Sequence, residues 1–501
     1  MAIRNSTIGL TSQIIAVIFQ LITRKVFVQY LGVELLGISS TFSSVLNTLS
    51  LAELGFQTAI IYNLYKPLAT NDEEQINNTV NVLKVIYRCI GVFFIMAGVV
   101  CLPLLKYILS GIEINGIVYT IFLIQVANSA SSYFLAYKRT LLFADRREFI
   151  TKIVDTVLNV IINLIKIYVV IKTSNYIIYI SLTLTQTIVS NLIIHLIAKK
   201  IYPFLHKAKW DYELFKKIWG NVKNLFVGKL AFYVYSSTDN IVVSALVSTV
   251  SVGFMVNYTT IISNLRTLAN SIFSPITPII GNMVAEKGNQ KNDEYVCRLY
   301  SFIRYAIACV IIIPVIVLIQ DFITVWVGKK FMLSNLIVWL YCLDLYIFFV
   351  HGPLCDFISV NGMFREDRNI EIIGATTNLI SSIILAKFFG IAGVLIGTVF
   401  SQVVFWIGRS LIAYRKCFQS EKKTYISYWI RNFKYLVFFI VMSLVLGKVY
   451  KWMVVDVFIL RFVCGGILCE LVVGIGLLIF FGKTEEFQTV YHVLKRKFKK
   501  A

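Results

Sequence analysis

Charged residues are scarce in this sequence. They make up 15% of its 501 residues, whereas soluble globular domains carry about a quarter. Hydrophobic residues reach 58%, and no stretch between the apolar runs is long enough to form a soluble domain. These deficits exclude a soluble enzyme and a soluble binding module. They indicate a chain that lies mostly within a lipid bilayer.

The motifs of nucleotide, metal and acyl-transfer chemistry are also missing. The nearest approach to a phosphate-binding loop is Gly482-Lys483-Thr484, where Leu477 occupies the position of the first glycine. The sequence has no HExxH and no exposed GxSxG, its four histidines show no ligand spacing, and its nine cysteines form no CxxC pair. We therefore expect no catalytic residues, no metal site, no cofactor and no enzymatic activity.

Long loops are absent on one side of the predicted membrane. Residues 31–35, 172–175 and 247–251 are short connections between apolar runs. A membrane-bound glycosyltransferase or polymerase usually carries a larger outer loop or domain for its chemistry. The short connections therefore weigh against those enzymes.

Apolar runs fill the chain almost from end to end. About twenty such residues span the hydrocarbon core as a helix. The helix forms because the lipid offers no hydrogen-bond partners, so every backbone N–H and C=O group must bond within its own segment. The run from Ile8 is too long for a cleaved signal peptide, so we interpret it as the first span. The sequence predicts an all-α polytopic membrane protein with about fourteen transmembrane helices. The predicted spans are residues 8–30, 36–62, 82–105, 114–137, 149–171, 176–198, 222–246, 252–272, 299–319, 336–360, 370–389, 391–414, 433–449 and 455–481.

The net charge of +22 is concentrated in alternate loops. This bias is typical of cytoplasmic loops, so we predict a multi-pass protein with both termini in the cytoplasm. The distribution argues against nucleic-acid binding and makes anionic lipid headgroups of the inner leaflet the expected partner of these lysines. The basic segments contain Lys199, Lys200, Lys207, Lys209, Lys216, Lys217 and Lys223; then Arg415, Lys416, Lys422, Lys423, Arg431 and Lys434; then Lys495, Arg496, Lys497, Lys499 and Lys500.

The two halves of the chain show traces of an internal repeat. A shift of about 216 residues places Gly37 on Gly253 and Ser44 on Thr260. We predict an N-terminal six-helix lobe at residues 1–205, a second six-helix lobe at residues 206–420, and two additional helices with a basic tail at residues 421–501. In parallel repeats of this kind the transport path lies between the lobes.

Polar residues inside the first span form one stripe. Gln13, Gln20 and Arg24 follow helical spacing, and such a stripe normally faces a cavity. Arginine suits a phosphate because its planar fork makes two parallel hydrogen bonds. Arg24 and Gln20 are therefore candidate substrate-binding residues. The alternative for Arg24, and the preferred interpretation of Lys25, is snorkelling to the outer interface.

Other ionisable residues inside spans are candidates because their insertion is costly. Arg266 is either a cavity residue or part of a salt bridge between helices. Glu53, Asp239 and Asp344 are candidates for ion coupling or for structural ion pairs, and Glu53 could pair with Arg24 or Arg266. Asp344 and His351 share a helix face, where they either relay protons or form an interhelical hydrogen-bonded contact.

Several motifs together resemble those of bacterial polysaccharide flippases, the O-antigen and capsule repeat-unit translocases of the multidrug/oligosaccharidyl-lipid/polysaccharide exporter superfamily. The resemblance covers about the first 415 residues, and the last two spans fit the fourteen-helix layout common in the group. The matching segments are Asn5-Ser6 with Arg24, Tyr30-Leu-Gly-Val-Glu-Leu-Leu-Gly37, Leu49-Ser-Leu-Ala-Glu-Leu-Gly55, Leu64-Tyr-Lys-Pro-Leu-Ala69, Thr238-Asp-Asn-Ile241, Gly281-Asn282, Asn361-Gly-Met-Phe364, Asn378-Leu-Ile-Ser-Ser382 and Gly390-Ile-Ala-Gly-Val394.

The resemblance implies a V-shaped pair of six-helix lobes around a central cavity in a protein of the bacterial cell membrane. It implies translocation of undecaprenyl-pyrophosphate-linked oligosaccharides to the outer leaflet by alternating access, alongside the glycosyltransferases and polymerase of surface polysaccharide synthesis. The related lipid II flippases use arginines in the first, second and eighth helices for the pyrophosphate. Arg24 and Arg266 match the first and eighth by position, whereas Glu53 stands at the second.

Three alternatives remain open at this point. The first is a cation-coupled drug or metabolite antiporter of the same superfamily, whose cavity would favour acids and aromatics over exposed cations. A membrane glycosyltransferase or polymerase is disfavoured by the short outer loops. The last is a scaffold that holds the synthesis machinery together.

Overall fold

The computed structural model describes residues 2–50, 56–134, 136–208, 210–287, 290–453 and 457–498. Every regular element among these residues is helical, which confirms the predicted all-α class. Glu53, a predicted coupling or ion-pair residue, lies outside the described residues. The nine cysteines are all free thiols.

The chain forms two compact units, Met1–Val256 and Asn257–Ala501. The predicted lobe boundary near residue 205 stays a prediction. The first unit includes α9 because this helix packs against α1 and α2. The first unit contains α1 Ala2–Leu49, α2 Phe56–Thr70, α3 Glu73–Cys101, α4 Leu105–Ile108, α5 Gly116–Phe134, α6 Tyr137–Ala144, α7 Glu148–Thr173, α8 Tyr176–Ile201, α9 Tyr212–Leu246 and the first turns of α10 Thr249–Phe273.

The second unit contains the rest of α10 and eight further helices among the described residues. A π-helical turn at Ala413–Cys417 follows α15, and a 3-10 turn occurs at Lys329–Phe331; another 3-10 turn, Leu102–Leu104, belongs to the first unit. The helices are α11 Ile276–Lys287, α12 Gln290–Trp326, α13 Asn335–Val360, α14 Phe364–Phe389, α15 Ile391–Ile412, α16 Lys422–Trp452, α17 Phe458–Phe481 and α18 Glu485–Phe498.

Eleven helices among the described residues are long and apolar enough to cross a membrane. One of them, α1, is interrupted at Gly32, whose φ of 86° and ψ of 174° are not helical. The interruption falls between the first two predicted spans. Helices α9 and α10 contain the predicted spans 222–246 and 252–272 but are not among the eleven. The multi-pass architecture is therefore established, and the count of fourteen spans remains a prediction.

Close backbone packing and capped helix ends shape the first unit. A Cβ atom on Gly37 would collide with the Thr249 carbonyl oxygen, and one on Gly253 would collide with the Val33 carbonyl oxygen. Helices α1 and α10 can therefore touch only because both positions are glycine. The two glycines aligned by the repeat are thus neighbours in space.

At the start of α8, the Asn175 side chain accepts hydrogen bonds from two backbone N–H groups and so caps the helix.

Helix α13 is the centre of the second unit. It packs against α11, α12 and α15, and most of its residues are buried. Stacked aromatic rings join this core to α16: Tyr305 lies 4.1 Å from Tyr435, and Tyr346 lies 4.5 Å from Phe439, between ring centroids. Gly352 of α13 leaves room for the buried guanidinium of Arg304, against which a Cβ atom would collide.

Candidate functional site

A pair of cations converges on two tyrosines in the first unit. Arg24 of α1 lies within Coulombic range of Tyr176 and Tyr179 at the start of α8. Lys166 of α7 places its Nζ atom 5.0 Å from the centroid of the Tyr179 ring. We call these four residues the Arg24 cluster. The arrangement follows from the packing of α7 against both α1 and α8.

Aromatic contacts hold the tyrosines of the Arg24 cluster in place. Tyr176 and Tyr179 stack with their ring centroids 5.9 Å apart. Phe27, one helical turn after Arg24, meets both rings edge-on at 5.5 and 5.2 Å. Because edge-to-face pairs are directional, this packing fixes the surface that the two cations face.

The cations of the Arg24 cluster have no acidic partner in the part of the chain that the structure describes. Among the described residues, no carboxylate forms an ion pair with Arg24 or with Lys166, which is only 6% exposed. The acid on the same helix, Asp155, lies three turns away and binds Arg139 through two hydrogen bonds of 2.8 and 2.9 Å. A buried charge without a counter-charge is costly unless an anion compensates it. The cluster therefore has the chemistry of an anion-binding site.

Arg266, in contrast, is neutralised within the second unit. Its Nη2 atom donates to Asp344 Oδ2 at 2.6 Å, and Gln402 Nε2 donates to Asp344 Oδ1 at 3.0 Å. The guanidinium also lies 4.9 Å from the centroid of the Phe348 ring. The structure thus places Arg266 in a salt bridge between α10 and α13, one of the two interpretations left open by the sequence.

His351 and Asp344 have separate partners, although they share α13. The His351 Nδ1 atom lies 2.7 Å from the Ile347 carbonyl oxygen, so Nδ1 carries the hydrogen. Its Nε2 atom therefore accepts from Arg409, whose Nη1 atom is 3.3 Å away. Arg409 also donates to Asp367 at 2.7 Å. Both side chains are thus part of arginine-centred networks, and no hydrogen bond between the described atoms joins one to the other.

The remaining predicted residues occupy the first unit. Asp239 is half-buried on α9, and its neighbour Asn240 donates to Ser44 Oγ of α1 at 3.0 Å. Gln20 is exposed on α1, one turn before Arg24. The roles of Gln20, Asp239 and Glu53 stay predictions.

Sequence reasoning missed Lys166, Tyr176 and Tyr179 as site residues. The usable signal was present, because Lys166 lies inside an apolar span and the two tyrosines are three residues apart on one helix face. What the sequence could not supply was the pairing of α7 and α8 with α1.

Among the described residues, no group of histidine, cysteine, aspartate and glutamate could hold a metal ion.

Solved transporter structures share this fold. The lipid II flippase MurJ in an inward closed conformation matches with a TM-score of 0.67 over 95% of this chain and 98% of its own, at 15% identity. An inward-facing MATE family multidrug resistance transporter of the MOP superfamily matches with a TM-score of 0.60 over 82% and 99%, at 14% identity. The Vibrio cholerae MATE transporter VcmN in its bent form matches with a TM-score of 0.51 over 84% and 98%, at 13% identity.

The structural similarity is not accompanied by a sequence match. No protein-family model matches the sequence, and no curated protein matches it. At identities of 13–15%, the similarity establishes the fold of the MOP-superfamily transporters and leaves the substrate open.

Proposed function

We propose that this protein is a flippase that moves undecaprenyl-pyrophosphate-linked oligosaccharide repeat units from the cytoplasmic to the outer leaflet for surface polysaccharide synthesis. Transport proceeds by alternating access in the bacterial cell membrane, without catalysis or a cofactor. The glycosyltransferases and polymerase of the pathway are its expected partners. A fold shared over nearly the whole chain with a lipid II flippase supports the class of substrate.

The observation that carries the proposal is the absence of an acid beside Arg24 and Lys166 among the described residues. A pyrophosphate diester carries about two negative charges, and the attraction between opposite charges strengthens as the local dielectric falls. Arg24 provides a planar fork for two phosphate oxygens, and Lys166 provides a compact point charge. Together they match a pyrophosphate head in number and sign of charge.

The tyrosine rings stabilise the site when no substrate is bound. A cation over an aromatic face gains about 0.5–2 kcal/mol, which is less than the cost of burying an unpaired charge. The Lys166–Tyr179 contact therefore keeps the cation in position and leaves most of its interaction capacity for an anion. A site with this balance binds a phosphate without having to break a salt bridge first.

The acids of the second unit bear on the antiporter alternative. A cation-coupled antiporter needs an acid that is free to exchange a proton or metal ion for its substrate. Asp344, Asp356 and Asp367 each lie within 2.6–3.6 Å of an arginine nitrogen. Acids engaged in this way are less available to a cationic drug, so the geometry favours the flippase.

Complementation of a strain that lacks its own polysaccharide flippase tests the proposal. The native chain should restore surface polymer. Arg24→Ala and Lys166→Met should reduce it roughly ten- to a hundredfold, because each removes a charge-assisted contact of about 1.5–3 kcal/mol. Lys152→Gln is the matched control, since Lys152 is an exposed cation on the same helix, 3.6 Å from Glu148. Arg266→Ala tests whether the second predicted arginine also contributes.

Membrane levels of all variants must be equal for the comparison to hold. Full restoration by Arg24→Ala and Lys166→Met would keep the function and reject the site. Failure of the native chain in several sugar backgrounds, together with export of cationic dyes, would instead identify an antiporter. Sugar transfer by the purified protein would revive the glycosyltransferase alternative.

A further inference from the structure

A second group of basic residues lies at the opposite end of α8 within the first unit. It consists of Lys84 on α3, Lys138 on α6, and His195 and Lys199 on α8, and we call it the Lys138 cluster. His195 follows Tyr179 by sixteen residues on the same helix, which separates the two clusters by about 24 Å. The Lys138 cluster is therefore distinct from the Arg24 cluster.

Lys138 is the buried centre of this group. Its side chain is only 6% exposed. Its Nζ atom lies 3.4 Å from His195 Nε2 and 3.4 Å from the His195 carbonyl oxygen, both long for hydrogen bonds. Because an ammonium group only donates, Nε2 accepts and the ring hydrogen lies on Nδ1. That Nδ1 atom is buried and has no hydrogen-bond partner among the described residues. The cluster therefore contains one donor without an acceptor, beside an ammonium group whose two contacts are long.

Other cations surround Lys138. Burial, and then the ammonium groups of Lys199 and Lys84, lower the pKa of Lys138 below its usual range. The Nζ atom of Lys84 lies 5.8 Å from the centroid of the Tyr137 ring, beside Lys138. Arg88 and Lys207 are within Coulombic reach of Lys84. The local field is therefore strongly positive.

The loop after α8 is held against α3, which places Lys207 in this field. The backbone N–H of His206 donates to Asn77 Oδ1 at 3.0 Å, and Asn81 Nδ2 donates to the His206 carbonyl oxygen at 2.9 Å. Three chain segments thus converge with like charge, which is unfavourable unless an anion lies among them.

The nearby acids do not supply that anion. Asp145 lies 2.7 Å from Arg147 and accepts a 2.6 Å hydrogen bond from Tyr202. Glu148 pairs with Lys152 at 3.6 Å. Arg139, adjacent to Lys138 in sequence, has its own acid in Asp155 at 2.8 Å. Arg139 is therefore neutralised, whereas no carboxylate among the described residues forms an ion pair with Lys138.

We infer that the Lys138 cluster binds the phosphate group of an anionic membrane lipid. A phosphate offers several acceptor oxygens to the ammonium groups of Lys138, Lys84 and Lys199, which act electrostatically on one another. Lys199 lies in the last turn of α8, at the end that the positive-inside pattern assigns to the cytoplasm, where anionic headgroups are enriched. The inference does not depend on the transported substrate.

Lipid binding by the full-length protein in nanodiscs tests this inference. In neutral phosphatidylcholine, added phosphatidylglycerol should raise the thermal unfolding midpoint of the native protein. In Lys138→Gln the apparent affinity for phosphatidylglycerol should fall about tenfold, as expected for one lost charge-assisted hydrogen bond. Lys200→Gln is the matched control, because Lys200 is exposed at the same helix end, and its affinity should stay within about twofold of native.

A second readout separates binding from a structural role. In phosphatidylcholine alone, Lys138→Gln should unfold at the same temperature as the native protein or higher, because the variant removes a buried charge that no described carboxylate neutralises. If the variant does not accumulate, Lys199→Gln replaces it, since Lys199 is exposed, and a severalfold loss of affinity is expected.

Three results would overturn the inference. Equal losses in Lys138→Gln and Lys200→Gln would show diffuse surface attraction rather than a site. Unchanged affinity for phosphatidylglycerol in Lys138→Gln and Lys199→Gln would show that the cluster does not bind the lipid. Equal stabilisation of the native protein by inorganic phosphate or pyrophosphate, in the absence of anionic lipid, would assign the site to a soluble anion.

Discussion

Arg24 and Arg266 are alike in sequence, since each is a basic residue within an apolar span, but they differ in partners. No carboxylate among the described residues pairs with Arg24, whereas Arg266 donates to Asp344 at 2.6 Å. The difference arises because folding brings Asp344, which is distant in sequence, next to Arg266. At the residue scale, a cation inside a span is therefore a candidate binding residue only when the structure shows no acid paired with it.

The Arg266–Asp344 pair should be strongly coupled. Their side chains are 28% and 12% exposed, so we expect a double-mutant cycle with alanine to give a coupling free energy of about 1.5–3 kcal/mol. Thermal or denaturant unfolding of the purified protein measures it. The matched control is Lys416–Glu366, which has the same 2.6 Å distance with 50% and 30% exposure and should couple much more weakly, because solvent screens the pair. Equal coupling in both pairs would show that burial does not govern these contacts.

The sequence predicted the candidate site in part. Arg24 was identified because an arginine within a span is rare enough to be informative. Lys166 was not predicted as a site residue, because its partners depend on which helices meet; only the structure places it beside Tyr179 and assigns Asp155 to Arg139. For Arg266, the sequence could state the two alternatives but could not choose, since hydrophobic periodicity does not encode which helices meet.

At the scale of elements, the break in α1 is set by one residue. Gly32 has a φ of 86° and a ψ of 174°, a conformation that side-chain-bearing residues rarely adopt. Both sides of this residue are helical, so the chain turns from the first predicted span to the second with almost no loop. The sequence predicted a connection at residues 31–35 but not its single-residue pivot.

Gly32→Ala should destabilise the protein, whereas Gly9→Ala should not. The first substitution forces a Cβ atom into a strained backbone conformation, at a cost of about 1–3 kcal/mol. The second lies in the helical part of the same element with no atom within 4 Å of a new Cβ, and alanine favours helix by up to about 1 kcal/mol. The unfolding midpoint in detergent should therefore fall for Gly32→Ala alone. A fall of similar size in both variants would contradict the role of the pivot.

Helix bounds followed the apolar runs closely where those runs are bounded by turns. The predicted span 391–414 corresponds to α15 Ile391–Ile412, and 176–198 corresponds to α8 Tyr176–Ile201. The span 299–319 was too short, because α12 Gln290–Trp326 continues in both directions beyond the apolar run. Hydropathy marks the part of a helix that contacts lipid, and it is silent where a helix extends into polar surroundings.

At the scale of the whole molecule, the distribution of charge predicts the orientation in the membrane. A phosphatase reporter, active only outside the cytoplasm, should be active when fused within residues 172–175 and inactive when fused after Lys207. A fluorescent reporter that matures only in the cytoplasm should give the opposite pattern. The reason is the crowding of lysines at the end of α8 and in the loop that follows it. Phosphatase activity at Lys207 would invert the predicted topology.

The placement of the cysteines has a practical consequence for mapping access in this protein. Five of the nine are buried, three are half-buried, and Cys89, the exposed one, lies on a helix long and apolar enough to cross a membrane. Water-soluble maleimides react with the thiolate, which apolar surroundings disfavour. The native chain is therefore a low-background host for single introduced cysteines. Accessibility can be scanned position by position along α1, α7 and α8 without first replacing nine native thiols.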